Sequence, residues 1–197
     1  MRWNMTSWGN VSLPNFLTCS RIALTVVFMF LLFLPGAVFK GMTLFVFLLA
    51  SFTDYLDGRL ARKMNMTSSF GKLMDPIADK ILTLSAFLAF VQMAIIPAWM
   101  AVAIITRDLL ITGLRLLMPE KGDNQSARSS GKHKTVLQFA AIVGVLIFLT
   151  LKETSFWNPI WTPDALRFIY WSMFFIVAVT LWSGVRYVIK NRDIFNT

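Results

Sequence analysis

Charge is what this chain has least of. Of its 197 residues 15% are charged, against about 25% in soluble domains, and only ten are acidic. Hydrophobic residues make up 56%, with 18 Phe and 7 Trp. A soluble helical bundle has no use for apolar runs so long and so many, so the composition indicates an integral membrane protein. Cysteine is nearly missing: Cys19 alone excludes an intrachain disulfide framework, and no chemistry is assigned to it. His133, the one histidine, reads as a loop residue, since metal sites built on a single histidine are uncommon. Internal repeats, low-complexity tracts and long linkers are also lacking, so residues 1–197 read as a single domain.

Positive charge outweighs negative, with 19 Lys and Arg giving a formal net charge of +9. Its distribution separates a nucleic-acid surface from membrane topology. Arg59, Arg62, Lys63 and Lys72 cluster in one connection, and Arg115, Lys121, Arg128, Lys132 and Lys134 in another. Arg186, Lys190 and Arg192 lie near the end. The alternate connections hold only Lys40, nothing around Pro97, and Lys152. That alternation follows the positive-inside pattern of a polytopic protein, and nucleic acid is not needed to explain it.

The expected fold is all-α, with six transmembrane helices after an N-terminal interfacial segment. Residues 1–12, with Trp3 and Trp8, supply that segment. Leu13 to Leu34 forms a first span closed by Pro35-Gly36. A cleaved signal peptide is rejected there, because the polar leader is too long and holds only Arg2 and Arg21 as basic residues. Gly41 to Phe52 opens a second span, and Ile77 to Val91 continues a third. A fourth runs from Pro97 to about Leu117. A polar, basic loop over 119–134 precedes the fifth, Thr135 to Leu151, and Ala165 to Val188 is the sixth. Six spans put both termini on the basic, cytoplasmic side of the cell (inner) membrane. Trp157, Trp161 and Trp171 then suit an aromatic belt at the opposite interface. The many Met and Phe read as packing or lipid-facing residues.

Four of the ten acidic residues fall in one stretch, Asp54-Tyr-Leu-Asp57-Gly58 through Gly71-Lys-Leu-Met-Asp75-Pro-Ile-Ala-Asp79. Spacings of i,i+3 and i,i+4 put each pair on one helix face. A carboxylate in mid-membrane costs about 2.5–3.5 kcal/mol, so four approach roughly 10–14 kcal/mol unless a cation offsets them. A solvated loop, a proton or ion pathway, and an ion-pair network with Arg59 and Arg62 are the competing readings. Gly58, Ala61 and Gly71 remove bulk beside the acids and describe a cavity that admits a polyanion through metal. Hard oxygen donors on two facing helices suit Mg²⁺, Mn²⁺ or Ca²⁺. A cation transporter could also use intramembrane carboxylates, but these acids lie near one face and the other spans supply no polar path.

The pattern Asp-x2-Asp-Gly-x2-Ala-Arg-x8-Gly-x3-Asp-x3-Asp, met here by Asp54, Asp57, Gly58, Ala61, Arg62, Gly71, Asp75 and Asp79, resembles the signature of the CDP-alcohol phosphatidyltransferases. Further stretches are similar to members that use sn-glycerol 3-phosphate as acceptor. They are Pro14-Asn15-Phe-Leu17-Thr18-Cys-Ser-Arg21, Asp75-Pro-Ile-Ala-Asp79-Lys80, Arg107, and Gly131-Lys132-His-Lys134-Thr135-Val-Leu-Gln138. The resemblance implies transfer of a phosphatidyl group from CDP-diacylglycerol to sn-glycerol 3-phosphate, releasing CMP. It implies two ions, Mg²⁺ or Mn²⁺, on Asp54, Asp57, Asp75 and Asp79, with Asp79 also the general base. Asn15, Thr18, Gly58, Arg62, Ser68 and Gly71 would hold CDP-diacylglycerol. It further implies a homodimer.

The same signature serves cardiolipin, phosphatidylserine and inositol-phosphate synthases, which differ in the acceptor. An acceptor phosphate needs cations of its own. Arg107 and Arg115, a little over two helical turns apart, and Lys132 and Lys134 are the candidates. Snorkelling at helix ends accounts for Lys134 and Arg115, but not for Arg107, which lies well inside an apolar run. Two positions depart from the family: Asp108 follows Arg107 where an Arg-Glu pair is usual, and Leu116 follows Arg115 where an acid is common. Both bear on the acceptor pocket and leave the acidic motif untouched.

Overall fold

A computed structural model describes the backbone of residues 13–64, 69–117 and 125–190, and the side chains of 20–53, 80–114 and 135–189. Among these residues there are six α-helices and no strand: α1 (Leu13–Phe33), α2 (Ala37–Met64), α3 (Ser69–Gln92), α4 (Ala98–Leu117), α5 (Gln125–Lys152) and α6 (Thr162–Lys190). A 3₁₀ turn, Pro159–Trp161, leads into α6. The interfacial segment expected at 1–12 lies outside the described residues.

One expectation needs correction. The polar stretch read as a loop to residue 134 is helical from Gln125 onward, so Arg128, Lys132, His133 and Lys134 are on α5. No proline interrupts it, and Gln125, Ala127, Arg128, Lys132 and Lys134 are good helix formers set against three Ser, Gly131 and His133. Apolarity marks where a helix enters hydrocarbon, not where its hydrogen bonding begins. The same distinction extends α2 beyond Phe52 to Met64 and starts α3 at Ser69, ahead of Ile77.

Packing closes the helices into a ring in the order α1, α2, α5, α6, α4, α3, with α5 also touching α3 across it. Phe47 of α2 is fully buried, 5.8 Å from the Phe28 ring of α1 and stacked 5.5 Å from Phe139 of α5. Phe87, Phe90, Met100, Ile104, Ile142 and Met173 are fully buried in the same apolar core. The outside is apolar as well: Phe30, Phe45, Phe168 and Trp182 are each at least 65% exposed. A helix apolar on all sides belongs in a hydrocarbon environment or a large core, and a chain of 197 residues has no core that large. Among the described residues, Thr135–Lys152 and Pro159–Ile189 are long and apolar enough to cross a membrane; Ser20–Phe33, Ala37–Thr53 and Lys80–Gln92 are shorter apolar stretches. Hydroxyls in these helices bond back to their own turn, as Thr43 to Phe39 O, Ser51 to Phe47 O and Thr150 to Leu146 O, each at 2.8 Å. That is how a hydroxyl is satisfied where water is scarce.

Three compact connections join the ring at one end. Gly36, at φ +106°, turns α1 into α2 in a conformation that suits glycine. The buried Lys40 side chain donates to Leu32 O, closing the C-terminus of α1 with a cation. Between α5 and α6, Asn158 Oδ1 accepts from Ile160 N at 3.0 Å, and Trp157 Nε1 donates to Thr162 Oγ1 at 3.0 Å. Trp157 and Trp161 sit at this connection, whereas Trp171 lies about 13 Å along the axis of α6 from Thr162.

The α3–α4 turn holds the unusual backbone. Ala94 N donates to Val91 O and Ile95 N to Phe90 O, both at 2.9 Å, the paired bonds of a helix closed by a left-handed residue. Ala94 fills that place at φ 55°, where a β-carbon is crowded. Its side chain is exposed, so little packing is lost without it. Ala94→Gly should therefore stabilise the folded protein by about 1 kcal/mol, read as a higher thermal midpoint in detergent. A lower midpoint would show that chain entropy outweighs the relieved crowding.

Candidate functional site

The register of the helices follows from a few contacts. Gly41 faces Thr150 and Phe47 stacks on Phe139, so α2 and α5 run antiparallel. Lys80 meets Asp108 beyond the short α3–α4 turn, so that pair is antiparallel too, whereas Trp99 meets Phe174 and Arg107 meets Ser183, so α4 and α6 run parallel. The C-terminal ends of α2, α4 and α6 and the N-terminal ends of α3 and α5 therefore share one end of the ring. That end carries the backbone of Asp54, Asp57, Gly58, Ala61 and Arg62 on α2 and of Gly71, Asp75 and Asp79 on α3. Arg115 on α4 and Lys132 and Lys134 on α5 fall there too, as do Asn15 and Thr18, at the N-terminal end of α1. The side chains of all these residues lie outside the described set, and Ser68 lies outside it entirely. Among the described residues no three His, Cys, Asp or Glu stand together as a metal site.

Next to the acidic motif is a buried chain of polar groups. Lys80, the residue after Asp79, places Nζ 3.7 Å from Asp108 Oδ2. Arg107 Nη1 lies 3.3 Å from Asp108 Oδ1, and its Nη2 donates to Ser183 Oγ at 3.1 Å. Asp108 is 5% exposed and Arg107 8%. Removing one partner from such a buried pair costs about 3–5 kcal/mol, because the other charge is left without compensation. Gly184 makes room for it: a β-carbon there would fall 2.9 Å from Arg107 Cγ. The guanidinium of Arg107, expected to bind the acceptor phosphate, is thus turned toward α6 and held by Asp108 and Ser183. Sequence reading singles out Arg107 and Asp108 beside it, but misses Ser183 and Gly184, which look like ordinary small residues in an apolar span.

Sequence reading also misses a cavity of about 730 Å³ between α2, α3 and α5. Its walls are mainly apolar, with Phe45, Leu48, Leu49, Phe52, Leu82 and Phe139. Arg21, Ser51, Lys80, Thr83, Asp108, Thr135 and Gln138 supply its polar groups. Ser51 and Phe52 come just before Asp54 and Lys80 just after Asp79, so the cavity wall adjoins the acidic motif along both α2 and α3. Volume and lining are those of a site for an amphiphilic small molecule.

The family model described as CDP-alcohol phosphatidyltransferase matches residues 11–182. A protein of Bacillus subtilis (strain 168) named CDP-diacylglycerol–glycerol-3-phosphate 3-phosphatidyltransferase is 36% identical over 201 residues, covering 94% of this chain and 98% of its own length. Proteins of the same name from Salmonella paratyphi A and Rickettsia bellii are 33% and 31% identical, over 92% and 87% of this chain and 95% and 92% of theirs. With its acidic motif on two helices that share one end of the bundle and a family match across nearly its whole length, this chain belongs to the CDP-alcohol phosphatidyltransferases.

Proposed function

We infer that this protein transfers the phosphatidyl group of CDP-diacylglycerol to sn-glycerol 3-phosphate, giving phosphatidylglycerophosphate and CMP. The observation that carries the reading is the register of the helices, which gathers four aspartate positions and the basic positions of α4 and α5 at one end of the ring. Near-full-length similarity to relatives named for this reaction supports it. So does the amphiphilic cavity beside the acids, which suits a lipid donor better than a water-soluble one.

In this reading Asn15, Thr18, Gly58, Arg62, Ser68 and Gly71 hold the CDP group of the donor. Four carboxylates on two helices form a hard-oxygen donor set that fits two Mg²⁺ or Mn²⁺ ions on Asp54, Asp57, Asp75 and Asp79. Bound there, the ions would neutralise the pyrophosphate and stabilise the leaving CMP. Asp79 accepts the proton of the acceptor hydroxyl as that oxygen attacks the phosphorus bearing the lipid. A carboxylate near cations is a weak base, so proton transfer comes late. Arg115, Lys132 and Lys134 hold the acceptor phosphate. Arg107, whose guanidinium is turned toward α6 and held by Asp108 and Ser183, would join that set by swinging away from Ser183. Six membrane spans, with the acidic end and both termini cytoplasmic, place the site where glycerol 3-phosphate is available, and the alternation of basic connections supports that orientation.

CMP release should stop on chelation and return with Mg²⁺ or Mn²⁺; full activity in excess chelator would sink the metal reading. Asp57→Asn should lose nearly all turnover, and a variant keeping a tenth of the rate, a barrier change of about 1.4 kcal/mol, would count against metal ligation there. Arg107→Ala should lower kcat/KM for glycerol 3-phosphate roughly ten- to a hundredfold and leave the KM for CDP-diacylglycerol nearly unchanged. Equal effects on both substrates, with a reduced thermal midpoint, would confine Arg107 to the α4–α6 contact. For orientation, single cysteines at Asn124 and at the exposed Ser155, in a Cys19→Ser background, are labelled in intact cells with an impermeant maleimide. Position 155 should react and 124 should not; the opposite pattern would put the acids on the side without glycerol 3-phosphate.

A further inference from the structure

Gln138 is 5% exposed, lines the cavity, and its amide nitrogen has no hydrogen-bond partner among the described residues. Neighbouring polar groups in the lining are spent otherwise. Ser51 Oγ donates to Phe47 O and Thr83 Oγ1 to Lys80 O, within their own helices, and Lys80 is paired with Asp108. A buried amide donor facing mostly phenylalanine and leucine is costly unless something enters the cavity and accepts from it.

Resting on the reading of the donor as CDP-diacylglycerol, we propose that Gln138 donates to an ester carbonyl of its diacylglycerol part and so selects an ester-linked lipid donor. The register gives the scale. Phe139 stacks on Phe47, which puts Gln138 near the level of that residue, while Asp54 lies seven residues on along α2, about 10 Å along the axis. A donor whose pyrophosphate rests at the acids has its glycerol esters at that depth and its chains among Phe45, Leu48 and Leu49. The ester carbonyls are the acceptors such a lipid offers between phosphate and hydrocarbon. A neutral amide suits them, whereas an anionic oxygen would draw on the cations at the acidic end. Glycerol 3-phosphate, polar throughout, gains nothing from this lining.

The test compares CDP-diacylglycerol with its dialkyl ether analogue of equal chain length, by CMP release in detergent micelles. The wild type should prefer the diester by about three- to tenfold in kcat/KM, the worth of one hydrogen bond. In Gln138→Leu that preference should fall to about one through loss on the diester alone, with the KM for glycerol 3-phosphate unchanged. The thermal midpoint of Gln138→Leu should be equal or higher, since the variant removes a buried donor without a partner. Equal losses on both donors, or a retained preference in the variant, would overturn the proposal. A second arm repeats the assay in vesicles of diester or dialkyl host lipid; a rate that follows the host and not the donor would assign the amide to bulk lipid and also overturn it. Wild type releasing CMP equally fast from both donors removes the role of Gln138 and leaves the activity standing. No CMP from either donor would strike the activity itself, and the Gln138 role with it.

Discussion

Asp108 ties three helices together from a position where a charge is expensive. Its two oxygens face Lys80 of α3 and Arg107 of α4, and Arg107 passes the contact on to Ser183 of α6. Elsewhere the described helices are held mainly by apolar packing, which is tolerant of sliding. The Lys80–Asp108 pair is not tolerant: a shift of α3 by one turn along α4 would separate it and leave Lys80 without its carboxylate. The placement of α3 along α4 therefore depends on this chain of contacts, and α3 carries Asp75 and Asp79. The two ends of the bundle are fixed by different means. Close turns and a lysine cap serve one, and cross-helix charge serves the other.

Composition and periodicity make much of this legible in the residues alone: the helical class, the four acidic positions at helical spacing and the flanking small residues. The reason is that an apolar chain leaves few places for charge, and each such place is conspicuous. Helix ends are less legible. Residues 125–134 are as polar as a loop and hold three Ser and Gly131, so only the lack of proline allows the extension of α5 to be read there. The turn at Ala94 is invisible, because alanine gives no sign of a left-handed backbone.

Within the site, what sequence does not supply is direction. Arg107 is conspicuous as a cation in an apolar run, yet the run does not say whether its side chain turns toward a substrate or toward another helix. Asp108 next to it and Ser183, 76 positions along, decide that. Gln138 is the converse case. In the sequence it is one letter in a longer similarity, and only the cavity wall gives its amide a surrounding from which a task can be argued. Polar residues in a scarce-charge chain announce themselves, while the spaces between helices do not.

Gly184 and Arg107 share one volume. The stem of the arginine occupies the place of the missing β-carbon, with Cγ at 2.9 Å and Nε at 3.2 Å from where it would stand. The two positions are therefore not free to vary separately. A larger residue at 184 requires a shorter one at 107, and a shorter one at 107 releases 184 from being glycine while stripping Asp108 of a partner. A single substitution at this helix crossing therefore brings a clash at 184 or leaves the buried Asp108 with Lys80 but without Arg107.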